Sequence, residues 1–167
     1  RDGHLDFSSE LPMLRAARDT GVTVIWDLCH YGYPEGLEPL SPKFIEHFVR
    51  YARAAAEIVA DHSAEVWLVP INEISFWAWA AGIGSLNPFR GHADAFKRQF
   101  LRATIAATDA IWEAVPRARI VHTDPITHVA PASEAIDDLV AAEGYRLAQY
   151  QAWDMLAGLM FPDLGGH

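Results

Sequence analysis

Val66-Trp67-Leu68-Val69-Pro70-Ile71-Asn72-Glu73 is the stretch on which the reading of this chain turns. An apolar run, rich in β-branched and aromatic side chains, ends in an amide and a carboxylic acid. A continuous run of strand length predicts a strand buried on both faces, as in a parallel sheet. Its polar end then falls where the strand emerges at a sheet edge, the place where α/β proteins bind ligands. Glu73 resists a purely structural account, because a carboxylate between an apolar run and Ile74 is rarely buried without a partner or a role.

Outward from this strand, helical and extended patterns alternate. A helix is expected from about Glu10 to Asp19, capped by Ser8 or Ser9 and closed by Gly21. Val22 to Asp27 reads as a strand, followed by a loop with His30, Gly32, Pro34, Gly36 and Pro39. Ser41 and Pro42 mark the next helix start, with Ile45, Phe48, Ala52, Ala55 and Val59 on one face. After Glu73 a long aromatic loop is expected from Ile74 to about Gly91. Phe96, Phe100, Ala103, Ala107 and Ile111 stripe a further helix, Arg119 to His122 forms a short strand, and Ser133 to Leu159 is helical with a break near Gly144.

Such alternation predicts an α/β fold with about three parallel strands and flanking helices, either a doubly wound sheet or part of a TIM (β/α)8 barrel. No Gly-x-Gly-x-x-Gly turn or Gly-x-x-x-x-Gly-Lys loop follows a strand, so nucleotide phosphate has no cradle. Three strands do not close a barrel, which takes about 250 residues. The expectation is one incomplete barrel domain over residues 1–167, with its N- and C-terminal parts missing and its sheet edges open to self-association.

The net charge of −9, with only 13 Lys and Arg, argues against nucleic acid and anionic membrane surfaces as partners. No apolar stretch reaches the roughly 20 residues that span a bilayer. A single cysteine, Cys29, rules out an internal disulfide or a cysteine-based zinc site within these 167 residues.

Every strand ends in polar residues. Asp27 and His30 follow the first, Asn72 and Glu73 the second, and His122, Thr123 and Asp124 the third. Asp27 either caps its loop or faces a ligand, and His30 is either a hydrogen-bonded loop histidine or a ligand contact. Phe76, Trp77 and Trp79 either plug the barrel or offer flat faces for sugar C–H groups.

Val24 to Pro34 resembles the end of the third barrel strand in glycoside hydrolase family 1, the β-glucosidases, whose sugar-binding histidine precedes a proline by four positions, as His30 precedes Pro34. Asn72-Glu73 resembles the Asn-Glu pair that ends the family's fourth strand. The chain departs from the family at Tyr31-Gly32, where Trp-Asp is usual, and at Ile74, where proline is usual.

The resemblance implies a retaining glycosidase, with one carboxyl protonating the leaving oxygen and a second, about 5 Å away, attacking the anomeric carbon. Glu73 would be the general acid/base, Asn72 would hold the sugar 2-hydroxyl, and His30 a neighbouring hydroxyl. Asp27 and His122 would join the substrate-binding set, with Trp77 or Trp79 stacking at the aglycone side. The nucleophile would lie on a seventh strand, which this chain lacks; Glu113, Glu134 and Glu143 are expected on helices. The implied partner is a small carbohydrate or glycoside, with no metal and no cofactor. Two other readings stay open: a metal-dependent barrel hydrolase using His30, His122, Asp124 and His128, and a non-catalytic, truncated or degenerate sugar-binding barrel.

Overall fold

The computed structural model describes residues 5–83 and 89–159. Its elements run α1 (Leu11–Thr20), β1 (Ile25–Asp27), α2 (Pro42–His62), β2 (Trp67–Val69), α3 (Ile74–Ile83), α4 (Ala93–Ala114), β3 (Arg119–Ile120), α5 (Ile136–Ala148) and α6 (Gln151–Leu156). The described residues form two compact units, one running to Asn72 and resuming over Ala106–His122, the other comprising Glu73–Ile105 and the chain from Thr123 onward.

The first unit holds the sheet. Its three strands are parallel in the order β1-β2-β3, pairing Trp26 with Leu68 and Leu68 with Ile120. β2 is central, and Leu68 and Val69 are buried, as its uninterrupted apolar run predicts. All three strands are shorter than their sequences suggest, β2 most of all, since it ends at Val69 rather than at Asn72-Glu73, but the ladder outlasts them. Leu28 N donates to Val69 O, Asn72 N to Cys29 O and Val121 N to Leu68 O. Among the described residues β1 is an edge strand, and Ile25 on it is 54% exposed.

α1 begins one residue later than expected and lacks a side-chain cap: Glu10, not a serine, precedes it. Gly21 ends it at φ 70°, the left-handed conformation that glycine adopts without steric cost. α2 begins at Pro42 as expected, although the Ser41 hydroxyl turns back to donate to Glu38 O. Phe44, Phe48, Ala52, Ala55, Ala56 and Val59 form its buried face, while Ile45 is only half-buried. Its last turn is tied by Arg117, whose guanidinium donates to the carbonyls of Ala60, Ser63 and Ala64.

The second unit differs most from expectation. Ile74 to Ile83 is a helix, not a loop; residues 84–88 of the expected loop lie outside the described residues. The segment is apolar all round, so it carries no stripe of 3.6 period by which a helix shows itself in sequence. Its core is aromatic: Trp77 meets Phe96 and Phe100 at ring-centroid distances of 6.4 and 5.0 Å, and Phe89 meets Phe96 at 4.9 Å. Gly82 permits a close approach of α3 to α4, since a Cβ there would stand 3.2 Å from that of Ala93. α5 runs straight through Gly144. The break falls at Gln149 and Tyr150, where the Gln149 side-chain carbonyl accepts from the Thr127 backbone and hydroxyl. One interior glycine costs a helix only about 1 kcal/mol against alanine, too little to stop this one.

Candidate functional site

Parallel strands bring their carboxyl ends to one edge of the sheet, and in the first unit this edge carries Asp27, His30, Asn72 and His122. Asp27 and His30 are joined: Asp27 Oδ2 lies 2.6 Å from His30 Nδ1. A carboxylate only accepts, so a neutral His30 ring carries its proton on Nδ1 and turns a lone pair outward on Nε2. Asp27 Oδ1 is occupied by the Cys29 backbone N–H at 3.2 Å. Both carboxylate oxygens therefore serve the loop. The His30 side chain is 63% exposed against 28% for Asp27.

Tyr31, next in the chain, stands at φ 59° and sets its ring edge-on to His30 at 4.7 Å. Cys29 is buried beside them, its Sγ 3.4 Å from Gly32 O. Burial, reinforced by the Asp27 charge, pushes its thiol up to about 12, so it stays protonated and unreactive at neutral pH. Asn72 is half-buried, with its backbone N–H spent on Cys29 O at 3.0 Å. His122 is half-buried just past β3.

Glu73 follows Asn72 directly and belongs to the second unit. Its backbone is left-handed at φ 49°, a conformation that costs a non-glycine residue about 1–2 kcal/mol. Its N–H donates to Thr123 O at 3.0 Å, and its carbonyl accepts the Trp77 N–H at 3.1 Å, opening α3. Two residues on, Ser75 donates its N–H to Asp124 Oδ1 at 2.9 Å and its hydroxyl to Asp124 Oδ2 at 3.0 Å. The sequence marks Asp124 as a polar strand end and a candidate metal ligand; with Ile74 to Gly91 read as a loop, nothing there announces a helix start in need of a clamp.

The two tryptophans part company. Trp77 is 2% exposed and packed on the Phe96 and Phe100 rings, which leaves it no face for a sugar. Trp79 is 54% exposed and pairs with the exposed Phe76 ring at 5.5 Å. Glu113 and Glu143 lie on α4 and α5, but Glu134 sits in the bend before α5. Among the described residues no three His, Cys, Asp or Glu side chains are grouped to hold a metal ion.

No family model and no curated protein sequence matches the chain. Solved structures do. Virulence factor SghA of Agrobacterium tumefaciens, in complex with its substrate analog salicin, superposes with a TM-score of 0.79 at 18% identity, over 93% of this chain and 37% of that one. The family 1 β-glucosidase of Thermotoga maritima gives a TM-score of 0.76 at 18% identity, over 88% of this chain and 36% of that one.

The fold is that of the family 1 β-glucosidases. This chain spans a little over a third of their length. Its three parallel strands and flanking helices match a portion of such a barrel. A T. maritima β-glucosidase bound to glucoimidazole matches equally well, with a TM-score of 0.76 over 89% of this chain.

Proposed function

We propose that this chain carries the acid/base half of a retaining β-glycosidase site, with Glu73 as proton donor to the leaving oxygen. The supporting observation is the placement of Glu73: it follows the central strand of a β-glucosidase-like sheet, on a left-handed backbone at the head of a helix. A retaining mechanism needs a second carboxylate about 5 Å from the first. In this reading that nucleophile belongs to a part of the barrel beyond these 167 residues.

Asn72 takes the sugar 2-hydroxyl, where hydrogen bonds tighten toward the oxocarbenium-like transition state. His30 accepts a hydrogen bond from a neighbouring hydroxyl on Nε2, and His122 completes the polar edge. Asp27 acts on the sugar through His30, since both its oxygens are engaged within the loop. Stacking at the aglycone falls to Trp79, because Trp77 is buried. The substrate class is an aryl or alkyl β-glucoside, in line with the salicin and glucoimidazole held by the structural neighbours.

The test is Glu73→Gln in a complete barrel containing this chain. Loss of a general acid is worth about 10²- to 10⁴-fold, and the loss should fall on phenyl or alkyl β-glucosides. A dinitrophenyl glucoside, whose leaving group departs without a proton, should keep near-normal glycosylation. Equal turnover of a phenyl glucoside by both proteins would falsify the role of Glu73.

A further inference from the structure

A left-handed glutamate persists only if the chain on both sides of it is held. Thr123 holds the N-terminal side, through its carbonyl on the Glu73 N–H. Asp124 holds the other, taking both the backbone N–H and the hydroxyl of Ser75 in the first turn of α3. Two consecutive residues from the segment after β3 thus grip the chain on either side of Glu73, one hydrogen bond before it and two after.

The grip is chemically apt. A carboxylate at a helix N-terminus meets unpaired N–H groups and the positive end of the helix dipole. Bonds to a charged acceptor are also stronger than neutral ones. Asp124 has a cationic neighbour in Lys97 of α4, which donates to Gln151 Oε1 at 2.7 Å. Burial lowers the Lys97 ammonium below its usual range, and the Asp124 and Asp94 carboxylates act against that lowering.

We propose that Asp124 is a positioning residue for Glu73: through Ser75 it fixes the first turn of α3, and with it the left-handed backbone that sets where the Glu73 carboxyl points. The catalytic consequence rests on Glu73 being the proton donor; the conformational claim does not.

Two measurements separate these. The first is NMR of the 167-residue chain, following the backbone ¹³C and ¹⁵N shifts of residue 73. Asp124→Ala should move them away from left-handed values while Phe96 and Phe100 keep their native shifts. Asp124→Asn, which retains one acceptor for the Ser75 N–H, should restore them in part. Should Asp124→Ala unfold the chain, Ser75→Ala removes a single hydroxyl bond and should give a smaller shift at residue 73. Unchanged residue 73 shifts in the folded Asp124→Ala chain, or in Ser75→Ala if that chain unfolds, overturn the proposal.

The second is kcat/KM, which reports glycosylation alone, in a complete barrel across leaving groups of graded acidity. A misplacement of about 1 Å can cost about 100-fold, so Asp124→Ala should slow phenyl glucosides by about that factor and dinitrophenyl glucosides only a few-fold. A uniform loss across leaving groups, with Glu73→Gln still selective, overturns the positioning role. A uniform loss in Glu73→Gln itself overturns the acid/base reading and leaves the conformational result standing.

Discussion

His30 and Glu73 both follow strand ends, and they are held by opposite means. His30 is fixed locally: its partner Asp27 lies three residues earlier on the same loop, Tyr31 beside it supplies the ring contact, and the side chain remains largely exposed. Glu73 is fixed from afar. The bonds that bracket it come from Thr123 and Asp124, about fifty residues along the chain, and the helix it opens is anchored by Trp77 in an aromatic core drawn from α4. In the proposed roles, His30 needs only to meet a hydroxyl, whereas Glu73 as proton donor depends on direction, and direction needs support from more than its neighbours in sequence.

The sharpest way to break this contrast is to remove the distant support. Trp77→Ala should destabilise the chain by about 3–5 kcal/mol, the usual cost of deleting a buried aromatic ring, whereas Trp79→Ala should cost under about 1 kcal/mol. Urea unfolding of the two variants measures both. Similar midpoints would mean that the α3 core is not what anchors the Glu73 turn.

On the His30 side, the buried Cys29 thiol gives a pH readout. Its pKa is raised from 9.0 to about 12 in the folded chain. Between those values the unfolded thiol ionises and the folded one does not, so unfolding releases a proton. The Cys29 contribution is fully present below pH 9 and should decline by about 1.4 kcal/mol per pH unit above it. Cys29→Ala should lack this component, and the difference between the two urea-midpoint profiles from pH 8 to 11 isolates it. Parallel profiles would show that the loop opens readily around its cysteine.

The smallest effect belongs to Asp27→Ala. Losing one hydrogen-bond partner of the ring is worth about 1 kcal/mol. Expected outcomes are a mixture of His30 tautomers in imidazole ¹⁵N spectra and glucoside affinity weaker by about fivefold, with global stability little changed. An unaltered tautomer would show that Tyr31 and the loop backbone orient the ring without the carboxylate.

The same contrast governs what could be read in advance. Strand β2, the stripe of α4 and the proline start of α2 were legible because each follows from the periodicity or turn chemistry of its own residues. Asp27 and His30 were visible as polar strand ends, and their pairing needs only a short loop. α3 was illegible, since a helix apolar on all sides has no polar face to reveal its period. Once α3 is read as loop, the Asp124 clamp has no helix to hold and the burial of Trp77 has no reason. The break at Gln149 was hidden likewise, because it depends on Thr127, twenty-two residues earlier, reaching its side chain.

The left-handed backbone at Glu73 has a consequence for tolerance to mutation. Glycine or asparagine would occupy that turn with less strain than glutamate, so selection for folding alone would not favour a carboxylate there. Backbone strain of this kind persists where the surrounding chain over-determines it, and it clusters at ligand clamps and active sites.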